Sequence, residues 1–225
     1  NAVPIQIPMG AESSFAGVVD LLEEKAIFFT KNSFEMKEGP IPTEYQDDVR
    51  TYRELLVEKI VETDDSLMTR YLEGEHIKTS ELAKALRTAT IGVRIIPVLC
   101  GGALNSMGIQ TLMDAIVDYL PSPIDIPPVT GIVPGNGKEL TREAKDDAPF
   151  AALAYKVAVD PFVGRLVYLR VYSGTGKSGA SVLNATKGGR ERMGRVLRMH
   201  ANHREELEEI RAGNIGAAIG LKNTF

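Results

Sequence analysis

The stretch Pro121–Gly137, PSPIDIPPVTGIVPGNG, holds five prolines and three glycines in seventeen residues. Proline removes a backbone donor and pins φ, and it turns the preceding residue away from helix. No long helix or central strand can run through such a segment, so it reads as a linker between two folded parts. The length of 225 residues agrees with two domains of ordinary size.

Before the linker the pattern is mixed. Val3–Pro8 is a short extended run, and residues 15–37 (GVVDLL, AIFF) alternate as strands do. From Pro42 the period changes: Tyr45, Val49, Tyr52, Leu56 and Ile60 recur at helical spacing. Asp47, Asp48, Glu54, Glu58 and Glu62 occupy the other faces, which predicts a long amphipathic helix over 43–63 with an acidic exterior. A shorter helix is expected from Asp64 to Leu72, and another from a Thr79 or Ser80 N-cap to about Thr90. Ile95–Leu99 reads as a buried strand running into the loop Cys100–Gly108. Ile109, Leu112, Met113, Ile116, Val117 and Leu120 then form one helix face, which Pro121 and Pro123 terminate.

After the linker every element looks like a strand. Phe150–Val159 and Arg165–Tyr172 are rich in β-branched and aromatic residues, and in the second Val167, Leu169 and Val171 share a face. Shorter runs near Ala180–Leu183, Gly194–His200 and Ile215–Leu221, separated by turn residues, predict a small β-barrel.

Val171–Gly179, VYSGTGKSG, imitates the end of a phosphate-binding loop. The leading glycine of G-x-x-x-x-G-K-[ST] would fall at residue 171, which is Val171, and a short β-branched run follows instead of a helix. The expectation is a hairpin between two strands.

Charge is unevenly divided. Residues 145–225 carry 13 Lys and Arg against 8 Asp and Glu, whereas residues 1–144 carry 13 against 22. Either the halves meet different partners, or two solvated surfaces simply differ. The basic excess concentrates in Lys187, Arg190, Arg192, Arg195 and Arg198, a density suited to a phosphate backbone. The other reading is a solvated face with arginines paired to Glu205, Glu206, Glu208 and Glu209. His200 and His203 have no third ligand nearby in sequence, so no metal site is expected. Asp160–Gly164 reads as a turn, with Phe162 and Val163 packing against a neighbouring domain. No apolar run approaches the ~20 residues that span a bilayer, and the first residues lack signal-peptide order. The single Cys100 fits a reducing compartment, so a soluble cytoplasmic protein is expected.

VPIQIPMGAESSFAGVVDLL, DYLPSPIDIPPVTG, DPFVGRLVYLRVYSG and RMHANHREELEEIRAGNIGAAIGLK, in that order, resemble bacterial translation elongation factor G along essentially the whole chain. Residues 30–90 are the least distinctive. The resemblance implies an α/β fold, a partial GTPase domain with an α+β insertion, followed by an all-β translation-factor-type barrel. Residues 1–122 would be the end of the GTP-binding domain, with the inserted subdomain at about 10–93. Residues 123–148 would be the linker and 149–225 the barrel.

In such a parent, GTP hydrolysis with magnesium drives transfer RNA and messenger RNA through the ribosome. The family's phosphate loop, magnesium-binding segments and Asn-Lys-x-Asp motif would lie before residue 1, so the fragment is expected to bind rather than catalyse and to hold no GTP or GDP tightly. Gly101, Gly102, Ala103 and Leu104 correspond to the family's Ser-Ala-Phe or Ser-Ala-Leu loop, whose backbone contacts the guanine base. Glycine in place of that serine removes a bracing hydroxyl. The resemblance assigns Lys187, Arg190, Arg192, Arg195 and Arg198 to small-subunit ribosomal RNA, and Glu54, Glu58 and Glu62 to the ribosomal stalk protein. Ribosome-protection proteins and release factors of the same superfamily, and a non-enzymatic RNA-binding barrel joined to an interaction module, remain open.

Overall fold

The computed structural model describes residues 1–133, 135–160, 164–200 and 203–225. The chain divides into two compact units, Asn1–Leu120 and Pro121–Phe225.

In the first unit, β1 (Ala2–Pro4) is followed by β2 (Gln6–Met9), β3 (Gly17–Asp20), β4 (Lys25–Phe29) and β5 (Met36–Gly39). Strands β2 to β5 pair in sequence order as an antiparallel sheet. Then come α1 (Gln46–Val61), α2 (Asp65–Leu72), α3 (Thr79–Ile91), β6 (Ile96–Val98) and α4 (Ile109–Tyr119). Leu56 and Ile60 of α1 meet Leu82 and Leu86 of α3 and the strand residues Val3, Ile5, Ile7 and Leu21 in one core. This is the apolar stripe that the helical spacing anticipates, although Tyr52 remains on the exposed side. The Asp64 carboxylate caps α2 by accepting from the Ser66 and Leu67 amides at 3.0 and 3.1 Å. Helix α3 begins at Thr79 itself and not after it. Its N-cap is Lys78, whose amide donates to Glu81 at 3.1 Å, because a carboxylate three residues into the helix replaces the expected hydroxyl cap.

One expectation about burial fails in this unit. Among the described residues strand β6 pairs only with β1, in parallel; Ile95, just before it, is buried, while Ile96 and Val98 are exposed. It is therefore not a buried strand, since no second layer among the described residues covers that face. The predicted apolar face of α4 also forms but is uncovered: Leu112, Met113, Ile116, Val117 and Leu120 are all exposed, Val117 to 75%. The helix instead turns Thr111 and Tyr119 inward.

The second unit starts with a hairpin, β7 (Val129–Ile132) against β8 (Glu139–Arg142). The segment expected to be a bare linker thus carries regular structure, because Val129–Ile132 is free of proline and its amides remain available for a ladder. There follow β9 (Ala151–Asp160), β10 (Gly164–Ser173), β11 (Thr175–Lys177), β12 (Ser181–Asn184), β13 (Gly189–Arg192), β14 (Val196–His200), β15 (His203–Leu207), β16 (Glu209–Arg211) and β17 (Ile215–Ile219). Five of them form a sheet in the order β15-β14-β17-β10-β9, with β11-β16 and β12-β13 as separate antiparallel ladders. Strand β10 packs on both faces, although Tyr168, Arg170 and Tyr172 on the second are only half-buried. Val167, Leu169 and Val171 join Met193, Val196 and Ile210, while Leu166 meets Leu197 and Ala217 on the other side.

VYSGTGKSG is a strand, a kink and a strand, as its lack of a helix requires, but it is not a hairpin. Gly174, at φ +70°, redirects the chain so that β11 pairs with the distant β16 and not with its neighbours. A side chain there would clash, since an added Cβ would lie 2.4 Å from the Ala148 carbonyl. Phe162 and Val163 lie outside the described residues.

Candidate functional site

Gly101–Leu104 runs from the end of β6 into a single tight turn, Ala103–Asn105. The Gly102 amide donates to Met107 O at 2.8 Å and its carbonyl accepts from Met107 and Asn105 at 3.2 and 3.1 Å. The turn's own bonds begin at the Asn105 amide, so the Ala103 and Leu104 N–H groups are not consumed by it. Leu104 projects outward, 95% exposed. The loop is anchored on both sides: the Asn32 amide donates to Asn105 O at 2.9 Å, and Gly108 turns the chain at φ +79° with no room for a Cβ. Chemically the loop offers backbone donors at the surface. Gly102, expected to permit close approach, spends its own donor internally.

By contrast, VYSGTGKSG offers nothing comparable. The Ser178 amide donates to Glu208 O at 2.9 Å, and the Gly179 amide to Met193 O and Gly194 O at 2.7 and 2.8 Å. Its donors hold the strands together.

The five basic residues fall into two groups. Arg190 and Arg192 lie on β13 two residues apart and therefore share a face of the β12–β13 hairpin, with Lys187 in its turn. None of these three makes an ion pair among the described residues. Arg192 Nε donates to Gly179 O at 3.2 Å, and Lys187 Nζ sits 4.2 Å from the centre of the Phe225 ring. Arg195 and Arg198 belong to the β14–β15 side and are already paired, Arg195 with Glu206 at 2.6 Å and Arg198 with Glu205 at 3.2 Å. Antiparallel pairing sets Arg198 opposite Glu205.

Glu191, between the two arginines, points the other way and is 6% exposed. It accepts from Asn184 Nδ2 at 2.7 Å, the Asn223 amide at 2.6 Å and Thr224 Oγ1 at 2.9 Å. Burial opposes its charge, yet these hydrogen bonds prevail and hold the carboxyl below its usual range. Glu191 ties the basic hairpin to the segment 223–224 and is the residue that sequence reading missed. The signal was available, because an Arg-Glu-Arg run on a strand turns its middle residue to the opposite face.

Glu54 and Glu58 on α1, and Glu62 at its C-cap, are exposed. Glu62 pairs with Lys59 at 2.8 Å, whereas Glu54 and Glu58 make no ion pair among the described residues. Burial, and then the fields of Glu58 and Glu54, raise the Tyr71 phenol. Glu54, Tyr71, Val57 and Ile41 line an open groove of about 920 Å3 against α1. Arg50 and Arg53 line it too, paired with Asp47 and Glu24, so Glu54 is the lining carboxylate left without an ion pair among the described residues.

His200 and His203 face each other at the end of the β14–β15 ladder. No group of three metal-ligating side chains occurs among the described residues. No helix among them is long and apolar enough to cross a membrane.

Comparison with known proteins bears on the second unit first. Residues 164–224 match the family described as elongation factor Tu domain 2, a likeness that implies a β-barrel in the second unit. The chain is also similar to the crystal structure of a Thermus thermophilus protein, with a TM-score of 0.76 and 27% identity over 99% of its length. It spans 30% of that chain.

Proposed function

We propose that the chain is part of a translocase of the elongation factor G type, comprising the end of its GTP-binding domain, the inserted subdomain and the barrel. The observation that carries this reading is the order of its parts. A parallel strand pair with a flanking helix precedes a segment that matches the elongation factor Tu domain 2 family, and a single longer protein is similar over 99% of the chain. The uncovered faces of α4 and β6 support it, since apolar surface of this extent ordinarily meets another layer of the same α/β domain.

In this reading the parent couples GTP hydrolysis to the movement of transfer RNA and messenger RNA on bacterial ribosomes in the cytoplasm. GTP, GDP and magnesium belong to the parent. This chain contributes the Gly101–Leu104 turn, and the Ala103 and Leu104 amides fit the acceptor edge of a base. The barrel docks on small-subunit RNA through Lys187, Arg190, Arg192, Arg195 and Arg198, as a phosphate-neutralising and not a base-reading surface. Glu54 and Glu58, with Glu62 beside them, meet a basic stalk protein.

The test replaces Arg190, Arg192 and Arg195 by alanine in the full-length protein and measures small-subunit affinity at two salt concentrations. Affinity is expected to fall and the logarithmic salt slope to flatten by about one unit for each phosphate that is no longer neutralised. Unchanged affinity and slope in a folded variant would remove the RNA-docking assignment.

A further inference from the structure

A cleft of about 210 Å3 between α4 and the β2–β5 sheet takes no part in the sites above. Gln6, Asp20 and Lys25 form a row across β2, β3 and β4, where Gln6 is registered opposite Asp20 and Asp20 opposite Lys25. Cross-strand partners share a face, so all three side chains turn toward the cleft they line. Glu23 and Glu38 complete the sheet wall, and Asp114 and Asp118, one helical turn apart, come from α4.

Charge in this cleft is unbalanced. Among the described residues that line it, Lys25 is the single cation, and Lys25 Nζ is bound to Glu38 Oε1 at 2.6 Å. Asp20 Oδ1 accepts only from the Leu22 and Glu23 amides, each at 2.9 Å. Glu23, Asp114 and Asp118 make no ion pair among the described residues. Like charges at i and i+4 on a helix repel. Gln6 is 4% exposed, and its side-chain carbonyl Oε1 is buried without a hydrogen-bond donor among the described residues. A buried acceptor normally has a partner. The Tyr119 phenol, pushed up to about 12 by burial and then by Asp20, Asp118 and Glu23, keeps its proton and adds no charge.

A cationic donor would serve both Gln6 Oε1 and the carboxylates without ion pairs, and its shape follows from the walls. A bare metal needs oxygens converging at about 2.0–2.6 Å, and no such group exists among the described residues. The carboxylates instead stand on opposite walls. We propose that this cleft binds a linear polyamine, with one ammonium group at Asp114 and Asp118 and another at Asp20 and Glu23, where Gln6 Oε1 accepts. The site is independent of the ribosomal reading.

Calorimetric titration of the 225-residue chain with spermidine tests it. The expected result is saturable binding, weakened at least tenfold by Asp114→Asn with Asp118→Asn and at least threefold by Gln6→Leu. The exposed helix aspartates lie outside the core, and circular dichroism checks each fold. Glu35→Gln with Glu73→Gln removes two charges elsewhere and is expected to change affinity less than twofold. Equal losses in the two double variants, or no saturation, would mean diffuse attraction to an acidic surface and overturn the site. Displacement of spermidine by equimolar magnesium would overturn the choice of a polyamine over a metal, and persistence against it supports that choice.

Discussion

Glu81 performs two tasks with one carboxylate. It binds Arg70 Nη1 at 2.7 Å and accepts from the Lys78 amide at 3.1 Å, so it ties α2 to α3 while capping the latter. The Arg70 hydrogen bond, followed by that amide, holds its carboxyl at about 2 against an ordinary 4.5. A depressed carboxyl stabilises the fold above its unfolded value, and that stability is lost as the pH falls from about 4.5 to about 2. Glu81→Gln is therefore expected to lower stability at pH 7 and to converge with the parent chain near pH 2, as urea unfolding at several pH values will show. Coincident curves at neutral pH would contradict the linkage. Gly174 makes a different point, because its role is purely backbone geometry. Gly174→Ala forces a left-handed residue into a carbonyl and should cost about 1–3 kcal/mol or more, read from the denaturation of the second unit.

At the scale of elements, the strand register decides what a basic run can do. Among the described residues the β12–β13 hairpin holds Lys187, Arg190 and Arg192 without ion pairs, whereas the β14–β15 ladder spends Arg195 and Arg198 on Glu206 and Glu205. A phosphate must displace those glutamates before it can use the second pair. Arg190→Ala with Arg192→Ala in the full-length protein should therefore weaken small-subunit binding and flatten its salt slope more than Arg195→Ala with Arg198→Ala does. The reverse ranking would mean that the glutamates release their arginines at no cost. For α4 the same logic applies to apolar groups. Met113→Ser with Val117→Ser removes surface that is mostly exposed in this chain, so its stability should stay within about 0.5 kcal/mol per site.

At the scale of the molecule, each unit has its own core, the first built on β1–β3 with α1 and α3, the second around β10. The only nucleotide-facing feature proposed is the Gly101–Leu104 turn, which supplies two backbone donors and no phosphate cradle. Titration with a fluorescent guanine nucleotide is accordingly expected to show no binding in the micromolar range, and tighter binding would require donors that VYSGTGKSG uses for its own strands. The division near Pro121, the helices over 46–91 and the strand character of the second unit were legible in the sequence because proline placement and side-chain period are local properties. Leu56 and Ile60 face the core wherever their helix lies. What only tertiary structure decided is pairing at a distance: that β11 joins β16, that Glu205 and Glu206 neutralise two of five basic residues, and that Gln6 meets Asp20 across a strand. It also decided burial, since the faces of α4 and β6 carry the pattern of a core and are exposed. Periodicity says that a face is apolar, but whether anything covers it depends on which other surfaces the fold brings there.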